Sequence, residues 1–86
     1  MIAPCDQFGP WRLDITEAER LARLRGLRAI VRLCLGPRGE VLADALRRAE
    51  SDPGHLPAAL TALDGLAPLD RRTVLASFAG LHRNTA

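Results

Sequence analysis

The chain has no lysine and no tyrosine, and its 86 residues include only one tryptophan and two phenylalanines. All twelve basic residues are therefore arginine. A GC-rich genome is the simplest source of this bias, because it also accounts for the abundance of alanine, glycine and proline. The scarcity of aromatic side chains argues against a surface on which nucleic-acid bases stack, whereas planar guanidinium groups suit carboxylate and phosphate partners.

Cysteine and histidine are scarce as well, and they occur only as Cys5, Cys34, His55 and His82. These four positions are far apart and include none of the closely spaced ligand pairs that structural zinc sites use. The two cysteines form no CxxC motif, and so few cysteines do not make a disulfide scaffold. The sequence therefore predicts a fold that needs no metal, no disulfide and no cofactor.

The chain also lacks a long apolar segment. The longest stretch free of arginine and acidic residues runs from Pro53 to Leu63 and contains two prolines. A membrane-spanning helix needs about 20 apolar residues, and a secretory signal needs an uninterrupted apolar core. Since a chain of this length forms at most one domain, we expect a single soluble, cytoplasmic domain with no membrane contact.

Residues suited to catalysis are poorly placed. Ser51, Asp52 and His55 have the composition of a catalytic set, but they lie within one predicted turn, where turn and capping chemistry explains them better. No glycine-rich phosphate loop occurs, and no pair of carboxylates is positioned for acid–base work. The sequence therefore predicts that the protein is not an enzyme.

The apolar pattern is helical throughout, and no strand pattern appears. It predicts an all-α fold, a small compact bundle of three to four helices over residues 16–83, preceded by an extended N-terminal arm at residues 1–15. Pro4, Gly9 and Pro10 interrupt any period in the arm. Because large aromatic side chains gain a few kcal/mol from burial, Phe8 and Trp11 are not expected to hang free. Trp11, with Leu13, either pins the arm to the bundle or anchors a binding partner.

The clearest helix runs from Glu17 to Leu35. Thr16 and Glu19 match a capping box at its start, and Gly36-Pro37 ends it or begins the next helix. At about 100° per residue, one sector forms a core-facing stripe and a second sector gathers small residues that let another backbone approach. The stripe consists of Leu24, Leu27, Ile30, Val31, Cys34 and Leu35, and the second sector of Ala22, Gly26, Ala29 and Leu33.

Three more helices follow. The second spans Glu40 to about Glu50, with an Asp44–Arg48 ion pair; the third begins near Pro57 and ends at Gly65; the fourth runs from Pro68 to about His82. Ser51 to Gly54 form a turn. The predicted apolar positions are Val41, Leu42, Ala45, Leu46 and Ala49 in the second helix, Leu56, Leu60 and Leu63 in the third, and Val74, Leu75, Phe78 and Leu81 in the fourth.

Positive charge is concentrated in one block, because residues 20–39 contain six arginines and no acidic residue. Arg25, Arg28 and Arg32 share a flank of the first helix, with Arg20 and Arg38 as further candidate members, and they form either a solvated surface or a contact for an acidic partner. The prediction is a non-enzymatic adaptor or regulatory subunit. It would bind a partner protein, or a second copy of itself, through the first helix, with Ala22, Gly26, Ala29, the three arginines and Trp11 as contact residues.

The alternative function is DNA binding by a helix-turn-helix-like unit at residues 56–82, in which Arg71 and Arg72 would contact the duplex. The order of leucines and glycine before Thr73-Val74 fits such a motif, but Thr73 stands eight positions after Gly65, and Pro68 lies between them. The usual turn is shorter. Nucleic acid is therefore the less favoured partner.

Overall fold

The computed structural model describes the backbone of residues 9–12 and 14–85, and the side chains of residues 9–12 and 14–80. Phe8, Leu13, Cys5, Leu81 and His82, which the sequence analysis singled out, lie outside the described side chains. Within the described part of the chain there are four α-helices and no strand, which confirms the all-α bundle. The helices are α1, Glu17–Leu35; α2, Glu40–Ser51; α3, Leu56–Asp64; and α4, Pro68–Thr85.

Helix α1 begins and ends where the sequence predicts. The hydroxyl of Thr16 accepts a hydrogen bond from the backbone N–H of Glu19 at 3.1 Å, which caps the first turn. At the other end Gly36 has φ of 55°, a left-handed conformation that favours glycine, and its N–H donates to the carbonyl of Arg32.

The connection between α1 and α2 is a single 3-10 turn, Gly36–Gly39, with Pro37 in its first positions. Gly39 is buried where α2 starts against α1. A Cβ atom at this position would lie 2.6 Å from Cγ1 of Val31, so only glycine fits without displacement. This close approach makes α1 and α2 adjacent, and they form the largest helix contact of the bundle.

Among the described residues, the core lies on the inner side of α1 and is built from leucine, alanine and valine side chains, together with Trp11 of the arm and Phe78 of α4. Phe78 of α4 is 1% exposed and Trp11 is 8% exposed. Helix α3 packs mainly on α2, and α4 packs mainly on α1. The buried hydrophobic residues are Trp11, Leu24, Leu27, Val31, Leu35, Leu42, Ala43, Leu46, Ala49, Ala59, Leu63, Val74 and Phe78.

Two predictions about the helices need correction. Val41, predicted on the apolar side of α2, is 77% exposed, and Ala43 is buried instead. Around the axis of α2, Val41 and Ala43 lie about 100° to either side of Leu42. Only the side that carries Ala43 faces α1, so Ala43 is buried and Val41 is not. Helix α4 extends to Thr85, three residues beyond the predicted end, since no breaker follows His82.

The arm at residues 1–15 falls only partly within the described structure. Its described portion contains one 3-10 turn, Gly9–Trp11, whose three residues are all buried. This turn packs against α1 and also reaches the start of α3. The arm is thus bent against the bundle at this point, where an extended conformation was predicted, because the proline and glycine beside Trp11 allow a tight turn.

Candidate interaction surface on helix α1

The second sector of α1 points away from the core. Ala22 and Ala29 are exposed, Gly26 is half-buried, and Leu33 is 89% exposed. We call these four residues the outer face of α1. They lie together because positions spaced by three, four and seven residues share one side of a helix. The result is an apolar strip about three turns long, with little side-chain bulk except at Leu33.

Arg25 and Arg28 lie on the flank of α1 that faces α2, and both are near one carboxylate. Nε of Arg28 is 3.0 Å from Oε2 of Glu50, and Nε of Arg25 is 3.6 Å from Oε1. The Glu50 side chain is 14% exposed, and its Oε2 is buried without a hydrogen bond. The contact with Arg28 is therefore an ion pair that lacks hydrogen-bond geometry. Two of the three predicted contact arginines thus already neutralise an acid of their own chain.

Arg32 differs from its two neighbours. It is exposed, and within the described part of the chain its side chain has neither an ion pair nor a hydrogen bond. It stands between the outer face and a surface cleft of about 210 Å³ that lies between α1 and α2. We call this the α1–α2 cleft, and its lining residues are Arg28, Arg32, Glu40, Ala43, Asp44 and Arg47.

Asp44 fixes two arginines at the edge of this cleft. Oδ1 accepts a hydrogen bond from Arg47 at 2.6 Å, and Oδ2 accepts one from Arg48 at 3.0 Å. The second contact is the predicted i,i+4 pair, which is confirmed. The hydrogen bond from Arg47 is the main reason that the pKa of Asp44 is lowered from its ordinary value. Asp44 therefore stays ionised and holds the Arg47 guanidinium beside the cleft.

Trp11, predicted to pin the arm or to contact a partner, packs against its own chain. Its indole Nε1 donates to the carbonyl oxygen of Leu56 at 2.9 Å, and the side chain is buried in the core. A buried indole with its one donor satisfied presents no surface to a partner. This favours the first of the two interpretations, and Trp11 is left out of the proposed contact surface.

Arg20 and Arg23 bind the arm, a contact that the sequence pattern did not predict. Arg20 donates to the carbonyl oxygens of Pro10 at 3.0 Å and Arg12 at 2.6 Å, and Arg23 donates to that of Gly9 at 3.3 Å. Among these carbonyls only that of Gly9 also accepts from the segment's own backbone, from the N–H of Arg12 at 3.4 Å, so the segment depends on donors from α1. The sequence did contain a signal for this contact. Arg20 and Arg23 are spaced i,i+3, so both long side chains lie on one side of α1 and can donate to a backbone segment packed along that side.

The residues proposed for DNA contact are placed differently from each other. Arg71 is half-buried and donates to the carbonyl oxygen of Asp64 at 2.8 Å, so it ties α4 to the end of α3. Arg72 is exposed and has no partner among the described residues. Since α3 packs on α2 and α4 on α1, the two helices make little contact with each other. Arg72 alone is therefore weak support for sequence-specific DNA binding by this unit.

The other reactive side chains that the structure describes make only single pair contacts, such as His55 Nδ1 at 3.9 Å from Oδ2 of Asp52. Among the described residues, no group of three or more His, Cys, Asp or Glu side chains could hold a metal ion. Sγ of Cys34 lies 3.9 Å from Oγ of Ser77, across α1 and α4. Asp52 accepts a hydrogen bond from the N–H of Gly54 at 2.9 Å, the turn geometry that its sequence context predicts.

Comparison with protein-family models, with curated proteins and with solved structures yields no significant match to this chain. Among the described residues, no helix has both the length and the apolar character needed to cross a bilayer.

Proposed function

We propose that this chain is a small non-enzymatic interaction module that binds a partner protein through the outer face of α1. The observation that carries the proposal is the exposure of Leu33 at 89% within a strip of otherwise small residues. Burying a leucine side chain is worth about 1.5 to 3 kcal/mol, so covering Leu33 favours association. Small neighbours allow the axis of a second helix to come close, at the short end of the usual 8 to 10 Å.

Charge supports a partner of different sequence over a second copy of this chain. In a two-fold antiparallel pair of α1 helices, the same flank of each copy meets at the interface. The arginine flank would then face its own equivalent, with Arg25 opposing Arg25 across an axis near Gly26. Like charges in that position weaken association. A partner with acidic residues beside its apolar contact avoids this repulsion.

The test compares three exposed large apolar residues at different places on the surface. Leu33→Gln alters the outer face, whereas Val41→Gln and Leu69→Gln alter side chains that are 77% and 70% exposed elsewhere. We expect the wild type and both control variants to retain the same protein from native lysate. Leu33→Gln should not retain it. Nuclease treatment in parallel shows whether retention depends on nucleic acid, and equal retention by all four proteins would contradict the proposal.

Self-association is measured separately by analytical ultracentrifugation of the wild type, Gly26→Leu and Gly26→Ala. A bulky side chain in the strip should block any helix that packs there, while alanine stabilises the isolated helix by up to about 1 kcal/mol. We expect the wild type to sediment as a monomer. A dimer that Gly26→Leu dissociates would instead assign the outer face to a second copy of the chain.

A further inference from the structure

Resting on the proposed function, we infer that the α1–α2 cleft is a carboxylate-binding subsite, in which Arg32 and Arg47 bind an aspartate or glutamate side chain of the partner segment lying on the outer face. Arg32 borders both the outer face and the cleft, since it follows Ala29 by three positions and precedes Leu33. A segment that covers Leu33 thus passes the mouth of the cleft.

The donors that the subsite needs are present and partly held in place. A guanidinium carries five N–H donors, and the contact with Asp44 at 2.6 Å uses an Nη2 donor of Arg47. That contact restrains Arg47 and leaves its other donors available. Arg32 has all five donors free of partners within the described chain. Orienting one cation in advance reduces the entropy lost when an anion binds.

The balance of charge selects a carboxylate over a phosphate. The cleft lining contains three arginines, Arg28, Arg32 and Arg47, and two acids, Glu40 and Asp44, so its formal charge is +1. A carboxylate with one negative charge neutralises this lining. Inorganic phosphate or a phosphomonoester, with a charge near −2, leaves excess negative charge next to two carboxylates.

The apolar strip beside the cleft also favours a peptide over a free anion. Leu33 offers a contact that inorganic phosphate cannot use, whereas an acidic peptide with a large apolar side chain fills both places. The structure therefore points to a partner segment that combines one acidic residue with apolar residues on the same side.

The experiment selects binders from a displayed library of random peptides at an ionic strength of about 0.15 M, where surface electrostatics are realistically screened. A selected peptide is then labelled and titrated by fluorescence anisotropy. We expect the enriched peptides to share an Asp or Glu near large apolar residues. Arg32→Gln should weaken binding about tenfold or more, because it removes charge-assisted hydrogen bonds. The matched control, Arg72→Gln, removes another exposed, unpaired arginine and should change affinity less than about twofold.

A double-mutant cycle assigns the contact. Replacing the peptide's acid with its amide should cost as much as Arg32→Gln, and the two changes together should cost little more than either alone. Additive losses, or equal losses with Arg72→Gln, would overturn the inference.

The remaining outcomes separate the inference from the proposed function. Enriched peptides without an acid, whose binding falls with Leu33→Gln but not with Arg32→Gln, would leave the outer face as a binding surface and remove the carboxylate subsite. A library that yields no binder counts against both. Inorganic phosphate that saturates the cleft, followed by NMR shifts at Arg32 and Arg47, would assign the cleft to phosphate and overturn the inference.

Discussion

The arginines of α1 form two groups on opposite flanks, and they serve different purposes. Arg20 and Arg23 lie on the arm side, where each donates to backbone carbonyls of the Gly9–Arg12 segment. Arg25 and Arg28 lie on the α2 side, where they are paired with the Glu50 carboxylate. Arg32 continues this second flank without any partner among the described residues.

The comparison shows that a block of like charge need not form one functional surface. Guanidinium groups satisfy the carbonyl oxygens of an irregular backbone segment as readily as they bind an anion. On the arm side, the arginines make hydrogen bonds to another part of the chain. On the α2 side, the Arg32 side chain has no partner among the described residues and is exposed. Variants that alter each flank separately measure this difference.

The largest expected effect follows from removing the residue that docks the arm. Trp11→Ala deletes a buried aromatic side chain, and we expect the free energy of unfolding to fall by about 3 to 5 kcal/mol in urea denaturation. Trp11→Phe keeps a ring but removes the donor to Leu56, so its cost should be nearer 1 kcal/mol. A Trp11→Ala protein as stable as the wild type would mean that the arm contributes nothing to the bundle.

The next effect contrasts the two flanks directly. Arg20→Gln removes donors to the carbonyls of Pro10 and Arg12, and we expect it to destabilise the fold by about 1 to 3 kcal/mol. Arg32→Gln should change stability by less than about 0.5 kcal/mol, because that side chain has no described partner. Thermal unfolding by circular dichroism measures both, and equal losses would erase the distinction between the flanks.

A smaller effect tests the pairing of the α2 side with Glu50. Arg28→Gln leaves a mostly buried carboxylate without its nearer cation, so we expect a loss of about 1 kcal/mol. Adding Glu50→Gln should recover most of that loss, because the unpaired charge disappears. Arg25→Gln, whose partner lies at 3.6 Å and whose side chain is 64% exposed, should cost less than about 0.5 kcal/mol.

The smallest effect concerns pH and two exposed carboxylates, one near each flank. Asp14 accepts hydrogen bonds from Arg12 at 2.8 and 2.7 Å, and this pairing lowers its pKa from 3.8 to about 2. The pKa of Asp44 is also lowered, chiefly by the hydrogen bond from Arg47. The folded state therefore binds fewer protons than the unfolded state. The stabilisation from each carboxylate is complete above its unfolded pKa and is lost as the pH falls through its lower, folded pKa.

Carboxyl carbon shifts in NMR measure these two titrations. The midpoint of Asp14 should lie near pH 2 and return toward 3.8 in Arg12→Gln, while that of Asp44 should stay unchanged in this variant. An Asp14 titration at 3.8 in the wild type would show that the pair with Arg12 does not persist in solution.

Much of the fold follows from local signals in the sequence. The ends of α1 are predictable because Thr16 supplies an acceptor for free N–H groups and Gly36-Pro37 cannot continue a helix. The exposure of Val41 was not predictable, because it depends on which side of α2 another helix covers. The outward direction of Ala22 and Ala29, by contrast, follows from helical periodicity. The roles of Arg20 and Arg71 were not predictable, because they depend on where carbonyl oxygens distant in sequence lie.

The hydrogen bond from Trp11 to Leu56 joins positions 45 residues apart, so we expect it to form later than the contacts between α1 and α2. Contacts between α1 and α2 are local in sequence and close short loops, whereas the indole finds its acceptor only after α3 has joined the bundle. During synthesis, α1 and most of α2 leave the ribosome while Trp11 still has no place to dock. We therefore expect the fluorescence of Trp11, the only tryptophan of the chain, to report the docking of the arm against α3 after the helical circular dichroism of α1 and α2 has developed.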